Sequence, residues 1–411
     1  MGTGVLYSDN LASYRFGGRH PLVPERFTLS VELMRAWGLL DEDNDATLGA
    51  FPARELAATH NYERACVIGV DAPASTETLT LVHTADYVEC VRAASAGDSS
   101  CGPRHGIGPG DTPVFRGMHE AAALTVASTV AAAELVASGS LERAFSPAGG
   151  LHHAQPDHAS GFCIYNDAAC AIEHLTRTRP GMRVAYVDID AHHGDGVEAA
   201  FIERPDVLTI SAHESGRYLF PGTGRESDIG TGAGSGAALN LPLPPFAGPE
   251  CYALVFERAV APALLAYRPD FIVLQLGADS HANDPLTHLS QSVAGYLDLV
   301  DGLLALTEEL TGGRVLMTGG GGYRPFSEVP RMWAGALALA LRRPVPEMLP
   351  ETWIRQATKA AHDVDAEAPR VTRTLEESAP ERTAEQLDAA VQVTNWMLGR
   401  VAEESPLLAR D

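Results

Sequence analysis

Between Val187 and Gly196 the chain reads VDIDAHHGDG, which places five ionisable residues in the eight positions from Asp188 to Asp195. Carboxylate oxygens and imidazole nitrogens in such a set suit Zn²⁺, and also Fe²⁺ or Mn²⁺. The preceding run, Arg183 to Val187, is rich in β-branched and aromatic residues and predicts a buried strand. If extended geometry continues, alternation puts Asp188, Asp190 and His192 on one face. Two carboxylates and an imidazole then sit at a strand's C-terminal end, where open α/β sheets bind ligands. A polar loop with ordinary strand-end caps is the bland alternative. The density of ionisable groups beside an apolar strand argues against it.

Three further strand ends carry unusual polar groups. His152-His153 follows a short strand at Ala144 to Pro147, Asp279 follows the apolar strand Phe271 to Leu276, and Tyr323 follows Arg314 to Thr318 and four glycines. Parallel strand ends share one edge, so these groups can meet. Asp190, His192 and Asp279 make three protein ligands with positions left open, the pattern of a catalytic ion. The tandem histidines can carry protons, with Asp188 and Asp195 as spare acids to orient them. Tyr323 can donate to a developing oxyanion. Gly319 to Gly322 let its backbone come close and suggest a loop free to bring the phenol in. Each piece alone is weak: histidine pairs are common on surfaces, glycine runs are usually flexible, and Asp279 could be a helix cap. The combination in this order is specific.

The elements that must position these groups alternate between strand and helix. Val5 to Tyr7 predicts a first strand, Tyr14 to Arg26 a loop, and Phe27 to Trp37 a helix. Little is assignable in 41–80. Leu79 to Arg92 reads as strand, turn and helix, and Ser99 to Phe115 as a long Gly/Pro loop with Asp111 as its one buried acid. Met118 to Ser138 predicts a buried Ala-rich helix and Asn166 to Arg177 another. Val207 to His213 is a strand, and Pro249 to Ala266 and Val293 to Leu310 are helices. The Gly-rich tract 220–236 lacks a phosphate-loop lysine and a strand–helix setting, which excludes a nucleotide site. The pattern predicts one doubly wound α/β catalytic domain over 1–380, with 381–411 as a peripheral helix and tail that fray.

Composition narrows the class. The 411 residues are 45% hydrophobic and 20% charged, ordinary for a globular protein, with a formal net charge of −23. That charge opposes nucleic-acid binding and favours solubility and cationic partners. No run of about 18 apolar residues stands out, so no membrane span is expected. Six cysteines without a CxxC pair predict reduced thiols, and no signal segment is evident, so the expected location is cytoplasmic.

The motifs GDTPVF (110–115), GGLHHAQPDHASGFCIYND (149–167), VDIDAHHGDGV (187–197), FPGTG (220–224), LQLGAD (274–279), DPLTHL (284–289) and GGGGY (319–323) run in the order of a known family. The chain resembles the histone deacetylase superfamily in its class I-like branch. DPLTHL points within it to the bacterial acetoin utilization protein (AcuC) group. The resemblance spans roughly residues 5 to 340. It implies an arginase/deacetylase-like three-layer α/β/α fold with a central parallel eight-stranded sheet. It implies zinc, with Fe²⁺ possible, on Asp190, His192 and Asp279. His152 would pair with Asp188 and His153 with Asp195, with His153 the main general base and acid, and Tyr323 would polarise the acetyl carbonyl. Gly161, Phe162 and Phe220 would line a narrow tunnel, Leu286 would flank its mouth, and Asp111 would hold substrate backbone. Structural K⁺ would sit on backbone carbonyls of Asp188, Asp190 and His192, with Ser211 and Ala212.

The activity implied is hydrolysis of N-ε-acetyl-lysine on proteins. An acetylpolyamine amidohydrolase using the same machinery on small acetylated amines is the nearest rival. A binuclear manganese ureohydrolase would typically carry further acids at the positions of Gly194 and His281. A non-catalytic acetyl-lysine reader should have lost a ligand, a histidine or the tyrosine, and all are present. The sequence leaves the oligomeric state open.

Overall fold

The structure is a computed structural model that describes residues 2–47, 63–363, 373–376 and 379–408. Nine parallel strands form one sheet: β1 (Thr3–Leu6), β2 (Leu40–Thr47), β3 (Ala65–Gly69), β4 (Arg143–Ser146), β5 (Val184–Asp188), β6 (Val207–Glu214), β7 (Ala238–Leu243), β8 (Phe271–Gln275) and β9 (Val315–Thr318). Their spatial order is β2-β3-β1-β4-β9-β8-β5-β6-β7. Every residue of β4, β5, β8 and β9 is buried. A parallel sheet needs such runs, because crossover helices cover both its faces.

The order explains why the site is where it is. The chain lays down β4 and then β5, and only later fills the gap between them with β8 and β9. That gap is the switch point of a doubly wound sheet, where a crevice opens at the C-terminal ends. Register keeps those ends level: Asp188 pairs with Gln275, Gln275 with Thr318, and Thr318 with Ser146. Four adjacent strands therefore release their polar loops at one height.

Several expectations need correction. The sheet has nine strands rather than eight. The added edge is the acidic β2, whose pairing with β3 is irregular between Asp41 and Ala46. Leu79 closes a helical turn, Thr76–Leu79, instead of opening a strand, and Ser75 caps that turn through Thr78 N–H. Met118–Ala137 is apolar and long enough to cross a membrane by length and composition. It is instead a core helix, packed on Asp167–Thr178 and β4. The C-terminal helix Ala384–Glu404 starts at a capping box formed by Thr383 and Gln386. Ala390, Thr394, Met397, Leu398 and Val401 are buried, and the helix packs on β7. Cys90 and Cys101 form a disulfide because the loop after Ala85–Ala96 folds back on that helix, while the other four cysteines form no disulfide and are buried. Thiol usage thus no longer supports the expected compartment.

One buried histidine ties this frame to the site. His83 Nε2 accepts the Asn166 N–H at 3.0 Å, so its Nδ1–H donates to the Gln155 carbonyl, also at 3.0 Å. Burial pushes it down to about 4, against the backbone of Gln155 and Pro156. Folding therefore favours neutral His83. Its stabilisation is complete above the unfolded value near 6.5 and is lost as pH falls toward about 4. The full effect is on the order of 3 kcal/mol. In urea titrations from pH 8 to pH 4, the parent protein should lose more stability than His83→Asn over that window. Parallel curves would reject the account.

Candidate metal and proton-transfer site

β5 ends at Asp188, so strand alternation stops before the motif does. Two successive side-chain turns replace it: the Asp190 N–H donates to Asp188 Oδ1, and the His192 N–H donates to Asp190 Oδ1, both at 3.0 Å. Acids bonding the N–H two residues on are what convert a strand end into this turn. The outcome still gathers the three side chains, through turns rather than through pleat.

Asp190, His192 and Asp279 are all buried, and their ligand atoms lie within 4.8 Å of one another. His192 Nδ1 is 2.9 Å from Asp279 Oδ2 and 3.2 Å from Asp190 Oδ1. Outer groups fix both carboxylates. Gln275 Nε2 (2.8 Å) and the Gly321 N–H (2.5 Å) donate to Asp190 Oδ2, and the Ala191 N–H (2.8 Å) donates to Asp279 Oδ1. A Cβ on Gly321 would run into the Asp279 carboxylate, so only glycine permits this approach. Burial, and then Asp190, pushes Asp279 up to about 6. His192 is held up at about 10 by both carboxylates, against burial. A cluster that binds a proton this strongly calls for positive charge, and a divalent ion would take that proton's place. The donor set therefore fits a divalent cation.

The second buried group, His152 with Asp188 and Asp190, is built differently. His152 Nδ1–H donates to Asp188 Oδ2 at 2.7 Å, and Tyr186 OH donates to the same oxygen at 2.7 Å. His153 Nδ1–H donates to Asp195 Oδ1 at 2.7 Å, while Gln155 Nε2 holds Asp195 Oδ2 at 2.9 Å. The two Nε2 atoms then face each other at 3.1 Å. Burial would strip His152 of its charge, but Asp188 and the acids behind it hold it up at about 9. Burial, and then the His152 charge, pushes His153 down to about 4 against Asp195. One imidazole is thus cationic and its neighbour neutral. That split suits proton transfer better than metal ligation.

Tyr323 stands edge-on to Phe162 and His192, with ring centroids 5.8 and 6.4 Å away. Among the described residues, nothing bonds its hydroxyl. Burial, then Asp279 and Asp190, keeps that hydroxyl protonated. The glycine loop before it is not free to swing. Gly319 N–H bonds Ser146 O (3.1 Å), Gly321 bonds Asp190 and also accepts from Ala278 N–H (2.9 Å), and Asp284 Oδ2 accepts Tyr323 N–H (2.8 Å). The glycines serve close approach rather than motion.

The residues expected to line a tunnel divide. Phe220 lies 5.1 Å from the His153 ring and is 45% exposed. Gly161 and Phe162 both have positive φ in a tight turn, which Tyr14 OH holds by donating to Phe162 O at 2.9 Å. Asp111, expected buried, is exposed, because its Oδ2 reaches out to accept the Gly161 N–H at 3.0 Å. Leu286 is half-buried in the turn closed by its N–H on Asp284 Oδ1. Ser211 pairs with Asp188 in register, and its hydroxyl lies 2.9 Å from His213 Nδ1; Ala212 is its buried β6 neighbour.

Sequence reasoning missed the supports. Arg26 is buried, bonds the Gly320 carbonyl and brings positive charge toward Tyr323, Asp190 and Asp279. An arginine at the start of an otherwise apolar helical face was its one signal. Asn166 Nδ2 holds the His152 and Ala154 carbonyls (3.3 and 3.1 Å), and Asp167 accepts the Gly150 and Leu151 N–H groups (2.9 and 2.8 Å). That pair read only as a helix start.

The model of the histone deacetylase domain matches residues 20–340. The chain is 40% identical over 331 residues to the acetoin utilization protein AcuC of Bacillus subtilis (strain 168), covering 80% of this chain and 79% of that protein. It is 34% identical over 357 residues to AcuC of Staphylococcus xylosus, covering 86% of each. Among solved structures, an HDAC homolog from Aquifex aeolicus superposes with a TM-score of 0.79 at 29% identity, over 96% of this chain and 100% of that one. An HDAC homolog complexed with SAHA matches equally well.

The geometry predicts a single ion. Protein loaded with zinc and desalted should carry about one equivalent per chain, and Asp279→Ala and Asp190→Ala should carry almost none. Zinc should also raise the melting temperature of the parent but not of the variants. Full zinc occupancy in both variants by elemental analysis would remove the three residues as ligands.

Proposed function

The chain belongs to the histone deacetylase domain family, and from that premise we propose that it is a zinc-dependent deacetylase of N-ε-acetyl-lysine side chains of proteins. The observation that carries the reading is the pair of buried histidines, each on its own carboxylate, beside a three-ligand cluster and a tyrosine whose hydroxyl has no partner among the described residues. A divalent ion on Asp190, His192 and Asp279, zinc or Fe²⁺, would supply Lewis acidity for the acetyl carbonyl and bring a water's pKa toward about 7.

The chain's own residues do the rest. His153, neutral at physiological pH, takes a proton from the attacking water on Nε2 and returns it to the leaving amine; Asp195 holds its Nδ1–H and so fixes the tautomer. His152 stays charged and acts mainly through its field. Tyr323 donates its hydroxyl to the carbonyl oxygen as negative charge builds there, a bond that strengthens in the transition state. Gly161, Phe162 and Phe220 enclose the aliphatic stem, Leu286 flanks the mouth, and Asp111 holds substrate backbone. Structural K⁺ on carbonyls of Asp188, Asp190 and His192, with Ser211 and Ala212, belongs to the same reading, as does a cytoplasmic location.

The test is turnover of an acetyl-lysine peptide by the zinc-loaded protein. His153→Ala should lower kcat by about 10²–10⁴ with zinc retained. Tyr323→Phe keeps the ring, removes the donor and should lower kcat by about 10²–10³ with little change in peptide affinity. A Tyr323→Phe turnover within about twofold of the parent would leave the phenol a packing role only. SAHA should bind the zinc-loaded protein and block turnover.

A further inference from the structure

The segments around Phe162 and Phe220 carry several exposed arginines, against the sign of the chain as a whole. Overall, 53 acidic residues outnumber 30 basic ones, so an arginine placed at random has a carboxylate close by. Many arginines do: Arg15 pairs with Glu25, Arg104 with Asp86, Arg179 with Glu134 and Arg204 with Asp206. Arg19, Arg116, Arg217 and Arg225 are exposed and have no ion-pair partner among the described residues, which is also true of Arg64, Arg183, Arg258, Arg268 and Arg314, so what sets the first four apart is their place beside Phe162 and Phe220. Arg324, also exposed, has only Glu328 at 3.8 Å.

All five lie on segments anchored at the opening. Arg19 precedes His20, whose ring meets Phe162 edge-on at 4.6 Å and whose Nε2–H donates to the Asp111 carbonyl at 3.0 Å. Arg116 follows Phe115, which packs on Phe16 of that same N-terminal loop at 5.4 Å. Arg217 and Arg225 flank Phe220, and Arg324 follows Tyr323. The loop carrying Phe220 also forms a cleft of about 530 Å³ lined by Arg217 and Arg225. Few acids oppose this set. Asp111 Oδ2 is engaged with the Gly161 N–H, Asp228 Oδ2 accepts the Arg225 N–H, and Glu226 lies half-buried in the cleft wall.

We infer that these five arginines form a basic collar that selects acetyl-lysines flanked by acidic residues in a polypeptide, with the Arg217–Arg225 cleft receiving a flanking carboxylate. The inference rests on the deacetylase reading and narrows its substrate class. A narrow tunnel recognises a stem and an acetyl group, which acetylated proteins and acetylated polyamines share. Beyond the mouth they differ in sign: a polyamine would bring further ammonium groups against the collar. Exposed charges interact weakly and are screened by salt, but a cleft concentrates their field. The preference should thus be moderate, about tenfold in kcat/KM, and should shrink with ionic strength.

Two acetyl-lysine peptides of equal length, one flanked by Asp and one by Arg, test this, with kcat/KM and fluorescence-anisotropy binding measured at low and high salt, and acetylspermidine run alongside. The acidic peptide should be favoured about tenfold at low salt, less at high salt, with acetylspermidine the poorest substrate. Arg217→Glu/Arg225→Glu should abolish or invert the ratio. Arg314→Glu, exposed just before β9 at the N-terminal end of the strands, should leave it unchanged. Equal or basic-favouring ratios in the parent overturn the collar while leaving the deacetylase reading intact. Preferential binding of the acidic peptide without turnover of any substrate upholds the collar and overturns the deacetylase reading.

Discussion

Two fully buried carboxylates, Asp190 and Asp279, meet at one imidazole, and most of the surrounding architecture answers that concentration of negative charge. Like charges in a low-dielectric interior repel strongly unless hydrogen-bond donors and a cation compensate. The donors come from three places: the turn after β5 through the Ala191 and His192 N–H groups, Gln275 at the end of β8, and the glycine loop after β9. Positive charge approaches from Arg26 on one side and His152 on another. A divalent ion held by Asp190, His192 and Asp279 would complete this balance.

The same field sets the two histidines apart. Identical side chains, adjacent in sequence and both on carboxylates, are driven in opposite directions. Asp188 is fully buried and its charge reaches His152 undiluted, whereas Asp195 is partly exposed and loses the contest with burial and with charged His152. Proton transfer at neutral pH needs one neutral acceptor, and burial first, then the cationic partner, keeps His153 neutral.

This balance also separates what was legible in the sequence from what was not. β5, β8 and β9 are continuous apolar runs ending in acids or glycines, so their position, and with it the ligand set, could be read directly. β7 contains Pro242 and lies at the sheet edge, and β2 is acidic, so neither looks like a strand; each is one only because a neighbour offers a ladder. Arg26 and Asp284 act on the site from 294 and 39 residues away along the chain, and no local pattern reports such contacts. Asp111 read as buried because it stands in a Gly/Pro loop, yet its task is to reach out and hold a neighbouring turn. The glycines before Tyr323 suggested motion because composition cannot distinguish a glycine that moves from one that lets two backbones touch.

That last distinction bears on specificity. With Tyr323 held by Asp284 and its glycines pinned to β4, β8 and Asp190, the inner site is preorganised and no loop closure remains for a particular substrate to trigger. Discrimination by induced fit is therefore poorly supported by this architecture. On the deacetylase reading, Phe162 and Phe220 would offer apolar contact to a methylene stem, and such contacts separate similar chains only weakly. On that reading, what distinguishes one acetylated amine from another would lie outside the stem's walls, in the sign and spacing of charge around them. If so, Arg217 and Arg225, exposed beside Phe220 and without an ion-pair partner among the described residues, would put discriminating charge where the inner site cannot discriminate, in a chain of net charge −23.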